Sequence, residues 1–354
     1  MEAPAPRGPR LRELGVRIGA LEPGPANAIT DVPGVAVGHV TVWRDEPDPP
    51  EGHGIARTGV TAIVPGRGGA VLDPPLAAGV AVLNGAGELT GSLQISEWGL
   101  LETPVYLTST MAVGRVYDGA VAAACAADAT VGADRVVIPV VGECDDSWLN
   151  DARVVQVEGD DVARAIADAT SGPVAEGCVG AGAGMVALDW KAGIGTSSRL
   201  LPATGGAHGV LVLANFGSAA DLRVAGLPMG GVLGRGVEVP PPPAGSCIAV
   251  VVTDAPLGSH NLTRVARRCG LGLARTGSVA HHGSGEIFLA VSAAPRRVHL
   301  GADALDEIFA ATVDATEEAV LNALWAAVDT VGRKGRVVRA LPHEPVLDLL
   351  ERHG

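Results

Sequence analysis

The sequence predicts a mixed α/β protein, and three observations carry that expectation. Short apolar segments rich in β-branched residues recur between Gly, Pro and Asp, as buried strands do. Longer stretches of helical periodicity interrupt them, an interleaving that lays helices against sheets. With 354 residues and 47% hydrophobic content, the chain can bury a substantial core, as about two domains or one composite one.

Taken in order, Gly34 to Val42, Val60 to Val64 and Val80 to Leu83 are expected as strands, followed by a helix from Tyr117 to Ala127 and a strand from Arg135 to Val141. A helix from Asp161 to Thr170 comes next, then a strand from Gly209 to Asn215, a helix from Asn261 to Arg268 closed by Gly270, and a helix from Glu317 to Val328. Gly180-Ala181-Gly182-Ala183-Gly184 invites comparison with a nucleotide loop, but that fingerprint needs a strand before it and a helix after it. Cys178 and Val179 make a poor strand, and Asp189-Trp190-Lys191 follows instead of a helix start, so a close-packed turn is expected. No internal repeat marks a solenoid.

A net charge of −13, with a pI near 5.1 and no dense basic patch, argues against a nucleic-acid partner. No apolar run approaches the ~18 residues of a membrane span, and Met1 to Arg7 lacks the core and cleavage site of a secretory signal. The expected compartment is the cytoplasm. Five cysteines without Cys-x-x-Cys spacing are expected as free, mostly buried thiols. The nine histidines include His281-His282 but no pair spaced to share a metal from one helical face, so neither a metal nor a cofactor is expected.

The most informative segment is Ala244-Gly245-Ser246, set between four prolines, Pro240 to Pro243, and the apolar run Cys247 to Val252. Polyproline is held extended and cannot donate to a central strand, so it serves as an exposed connector into a buried one. A hydroxyl at that junction, with a glycine carbonyl before it, suits self-cleavage. Attack of Ser246 Oγ on the Gly245 carbonyl would turn an amide into an ester, and hydrolysis would leave a free amine of ordinary pKa about 7.7 to 8.0 beside the hydroxyl. Gly-Ser also occurs at Gly91-Ser92, Gly217-Ser218, Gly258-Ser259, Gly277-Ser278 and Gly283-Ser284, where ordinary turns are expected. Only the Gly245-Ser246 pair stands between a proline run and a buried strand.

A second segment, His282 to Ala290, has the same strand-entry character. If it pairs with the strand after Ser246, Ser284 and Glu286 lie on one side of the pleat and can face Ser246 as a proton relay. The alternative is a turn-capping serine and a solvated charge. Asn215, ending its apolar run, is a candidate donor to an oxyanion, or else a turn-forming residue.

The ordered strings Asn27 to Val35, Arg57 to Thr61, Leu83-Asn84-Gly85, Gly87-Glu88, Gly99 to Pro104, Leu149-Asn150-Asp151, Ala214 to Gly217, Thr253 to Leu257, Gly272 to Gly277, Gly283-Ser284-Gly285 and Ala340 to His343 span nearly the whole chain. In them the sequence resembles the L-aminopeptidase/D-esterase and β-aminopeptidase family of self-processing N-terminal nucleophile hydrolases. The resemblance implies a four-layer α/β/β/α sandwich with mixed sheets, shared with ornithine acetyltransferases. It implies cleavage into a large piece, 1–245, and a small piece, 246–354, which stay together and assemble as tetramers of pairs.

Carried over by position, Ser246 is the nucleophile, Asn215 an oxyanion donor, and Ser284 with Glu286 the relay. Glu143 corresponds to a glutamate near the substrate's free amine. The expected substrates are short peptides, amides and esters with a free amine, handled without a cofactor. The pattern is broken about two positions after Glu143, where a tyrosine is expected and Asp145 stands. Two other readings remain open here: acyl transfer to an amine, as in the acetyltransferase relatives, and a non-catalytic homologue that binds small amino compounds.

Overall fold

A computed structural model describes residue 5 and residues 8–66, 69–238, 245–295 and 298–353. The proline run at 240–243 and Ala244 lie outside the described residues. Two mixed sheets face each other. The smaller is ordered β1 (Ala36–Asp45), β2 (Ile55–Val64), β5 (Val105–Ser109), β6 (Val140–Cys144). The larger is ordered β4 (Leu100–Leu101), β3 (Leu76–Gly85), β10 (Gly285–Ser292), β9 (Ser246–Thr253), β8 (Gly206–Asn215), β7 (Ile194–Leu201).

Helices cover both outer faces. α2 (Val113–Ala127) and α3 (Gly159–Ala167) lie on the smaller sheet, while α4 (Ser259–Arg275) and α5 (Ala302–Trp325) lie on the larger; α1 (Ser92–Trp98) and α6 (His343–His353) are peripheral. The result is the α/β/β/α sandwich that the resemblance implied.

The central strand shows why the sequence folds this way. Every residue of β9 is buried, as expected for a strand covered on both faces and built from a continuous apolar run. Its alternation divides two cores: Ile248, Val250 and Val252 join Leu107, Val140 and Leu211 between the sheets, whereas Cys247, Ala249 and Val251 meet the helical layer. Burying one such aliphatic side chain stabilises the fold by about 1.5–3 kcal/mol.

Several elements depart from expectation. The strand expected from Arg135 begins only at Val140, because Pro139 cannot donate to a sheet and Val136 is exposed. The helix expected to close at Gly270 runs on to Arg275. Its Gly272 is an approach point for α5: a Cβ there would stand 2.7 Å from Val313 O. The helix expected from Glu317 to Val328 is longer, Ala302–Trp325, and that expected from Asp161 to Thr170 is Gly159–Ala167. Gly180–Gly182, by contrast, forms the close-packed turn expected there, a single buried 3₁₀ turn. All five cysteines are free; four are buried and Cys125 is exposed.

Candidate active site

Three strand ends meet where β9 begins. Ser246 is paired in antiparallel register with Asn215, the last residue of β8, and in parallel register with Gly285, the first of β10. The Gly285 N–H donates to the carbonyl oxygen of Gly245 at 2.9 Å, so the bond before Ser246 is already held at its acceptor end. Gly245 is required there for space. A Cβ would lie 2.2 Å from Asn215 O and 3.0 Å from Phe216 Cα, both backbone atoms that cannot swing aside.

The register corrects one expectation. Ser284 and Glu286 do share one side of the pleat, and the Ser284 hydroxyl donates to Glu286 Oε1. Parallel pairing, however, sets Glu286 beside Cys247 and leaves Gly285 beside Ser246, so the pair projects on the opposite side from the Ser246 hydroxyl. Both side chains are buried, and Glu286 Oε2 has no hydrogen-bond partner among the described residues. Burial pushes the Glu286 carboxyl above the usual carboxylate range, opposed by the Ser284 hydrogen bond and by His281. An unsatisfied buried acceptor is uncommon away from functional sites.

The Ser246 hydroxyl looks toward the other sheet. At Gly142 of β6 the sheets come close, a Cβ there lying 3.1 Å from Ile248 Cγ2, and this brings the next residue, Glu143, to the nucleophile. A Cβ built on Gly87 would stand 3.6 Å from Ser246 Oγ and 3.1 Å from Glu143 Oε1, so the two side chains border one small space. Glu143 Oε1 accepts from the Glu88 N–H at 2.9 Å, and Oε2 accepts from the Thr110 hydroxyl. Glu143 is 3% exposed and has no cationic partner among the described residues. Burial raises its pKa, with Asp145 and Glu88 adding to the effect against the two hydrogen bonds.

Asn215 is fixed at both ends of its amide. Its Oδ1 accepts from Val186 N–H and its Nδ2 donates to Asp145 O, each at 2.9 Å, which leaves one amide hydrogen uncommitted among the described residues. Asp145, standing where a tyrosine was expected, supplies that carbonyl while its own exposed side chain accepts from Ser147 N–H at 2.9 Å. Sequence reasoning passed over Gly87, Thr110 and the Gly285 N–H as parts of the site. The strings Gly87-Glu88 and Gly283-Ser284-Gly285 contained two of them, whereas nothing local marks Thr110.

A family model for peptidase family S58 matches residues 27–338. The chain belongs to that family. As an S58 peptidase it is a hydrolase, with the N-terminal nucleophile fold described for one of its relatives. It is 40% identical to the β-peptidyl aminopeptidase BapA of Sphingosinicella microcystinivorans, over 99% of this chain and 94% of that one. A Burkholderia sp. β-aminopeptidase structure superposes with a TM-score of 0.89 at 43% identity, covering 98% of this chain and 99% of that chain. The L-aminopeptidase D-Ala-esterase/amidase of Ochrobactrum anthropi, described as a prototype of the serine aminopeptidases, superposes with a TM-score of 0.91 at 37% identity, over 98% and 99%. No helix among the described residues is long and apolar enough to cross a membrane.

Proposed function

We propose that this S58 peptidase is a self-processing serine aminopeptidase and amidase-esterase that releases N-terminal residues from short peptides, amides and esters. The observation that carries the reading is the buried, cation-free carboxylate of Glu143 facing the same space as Ser246 Oγ. A buried carboxylate without a counter-charge is costly, and a substrate ammonium supplies one. Exposed Glu88 and Asp145 add negative potential at the mouth of the site.

In maturation, Ser246 Oγ attacks the Gly245 carbonyl carbon while the hydroxyl proton passes to the departing Ser246 nitrogen. The C–N bond breaks, an ester forms, and water hydrolyses it to a Gly245 carboxylate and a Ser246 carrying a free amine and a hydroxyl. The Gly285 N–H, already on the Gly245 oxygen, stabilises charge as it develops there. In turnover the amine takes the hydroxyl proton and passes it to the leaving group. Water, deprotonated by the same amine, then releases the acyl group.

Ser284 and Glu286, which bracket Gly285 beside Ser246, hold the amine and its proton. The uncommitted amide hydrogen of Asn215 serves the oxyanion, and Glu143 receives the substrate ammonium. Pieces 1–245 and 246–354 remain one unit, and four such pairs associate in the cytoplasm. The test is Ser246→Ala: it is expected to stay uncut and to turn over no aminoacyl p-nitroanilide, whether L-, D- or β-. Turnover by that variant at the wild-type rate would overturn the assignment.

A further inference from the structure

Gly87 lies in the exposed turn after β3. A Cβ built on it would stand 3.1 Å from Glu143 Oε1, 3.5 Å from Gly285 Cα and 3.6 Å from Ser246 Oγ. Its backbone is outside the left-handed region, so torsional freedom does not explain the glycine. We propose that Gly87 determines specificity: its missing side chain leaves the recess into which the second carbon of a β-aminoacyl group bends. This inference rests on reading Ser246 as the nucleophile and Glu143 as the ammonium site.

The two oxygens can be no farther apart than 3.6 and 3.1 Å laid end to end. An α-aminoacyl ester on Ser246, with its ammonium hydrogen-bonded to a carboxylate oxygen, spans roughly 6 Å from ordinary bond lengths and a charge-assisted contact. That span lies within the bound. A β-aminoacyl ester adds about 1.3 Å when stretched and overshoots, so its extra carbon must bow to one side. The Gly87 side is open to it because Gly87 carries no side chain, and the Gly285 backbone walls the recess, its Cα 3.5 Å from where a Gly87 Cβ would stand.

The test compares the wild-type chain with Gly87→Ala. The new methyl would sit at ordinary contact distance from Ser246 Oγ and tight against Glu143 Oε1, so self-cleavage is expected to persist while the recess fills. The ratio of kcat/KM for β-alanine p-nitroanilide to that for L-alanine p-nitroanilide is expected to fall by roughly tenfold or more, the worth of one methylene in a fitted pocket. A cut, active variant with an unchanged ratio overturns this inference alone, whereas a wild-type chain that stays whole and inactive overturns the underlying reading as well.

Should Gly87→Ala fail to fold, lengthening the substrate on the wild-type enzyme decides. A γ-aminobutyryl p-nitroanilide, one carbon longer again, is expected to react roughly 100-fold more slowly than the β-alanine compound. A rate equal to that of the β-alanine compound contradicts the proposed recess.

Discussion

Replacing Gly245 by alanine tests whether the backbone geometry, as well as the chemistry of serine, drives self-cleavage. The new Cβ would stand 2.2 Å from Asn215 O, 3.0 Å from Phe216 Cα and 3.2 Å from Asn215 C. All three are backbone atoms, so no rotamer change relieves the clash. Residue 245 must retreat by about 1 Å, and a displacement of that size at a reacting centre costs on the order of 100-fold in rate. The retreat also pulls the carbonyl oxygen from the Gly285 N–H that now holds it at 2.9 Å.

Overpacking of this kind costs about 1–3 kcal/mol, too little to unfold a core of this size. The expected result is a folded chain whose cutting, followed on a denaturing gel from the moment of purification, is slowed by about 100-fold. Its melting temperature should move by only a few degrees. Cutting at the wild-type rate would refute the argument that close approach at residue 245 aligns the scissile bond.

Three further outcomes follow from the site and its surroundings. Glu286→Gln keeps an oxygen for the Ser284 hydroxyl but removes the carboxylate that can take up a proton, and is expected to lower kcat by about 100-fold or more with KM little changed, as loss of a proton-handling group does; a pure KM effect would place Glu286 in substrate binding. Glu143→Gln keeps an oxygen for the Glu88 N–H but loses the charge, so KM for free-amine substrates is expected to rise roughly 10- to 100-fold, the worth of a hydrogen bond to a charged group. An N-acetylated substrate gaining relative to its free-amine parent would show the same selectivity from the substrate side. Asp146 is fully buried, its Oδ1 accepting from Ser109 Oγ at 2.7 Å and Asn150 Nδ2 at 3.0 Å, and burial pushes its carboxyl up to about 7. Because the folded value exceeds the unfolded one, its contribution to stability is complete below about pH 4 and is lost as pH rises through about 7, a span on the order of 4 kcal/mol. Asp146→Asn retains both acceptor bonds and is expected to flatten the decline in denaturation free energy between pH 4 and pH 8; an unchanged slope would contradict it.

What the sequence made legible was whatever depends on local pattern. β9 and β8 were visible because a strand buried on both faces must be apolar throughout, and the junction at Gly245-Ser246 because a proline run meets such a strand there. The helix end expected at Gly270 is not there, since a glycine that terminates a helix and one inside a helix that packs against a sheet, as Gly270 does against Leu83 and Phe288, are the same letter. The side of the sheet occupied by Glu286 depended on the register between β9 and β10, which is fixed by packing across the whole sandwich. Thr110 could not be found for a related reason. It belongs to the segment after β5, and only the parallel pairing of β5 with β6 brings its hydroxyl to Glu143.

The most direct measurement follows freshly made, uncut protein through time, recording the N-terminal sequence of any new fragment together with hydrolysis of an aminoacyl p-nitroanilide. The account predicts that a fragment beginning at Ser246 and the activity appear in step, with no turnover from the intact chain of 35.5 kDa. Full activity in a preparation whose 354-residue backbone remains unbroken would contradict it.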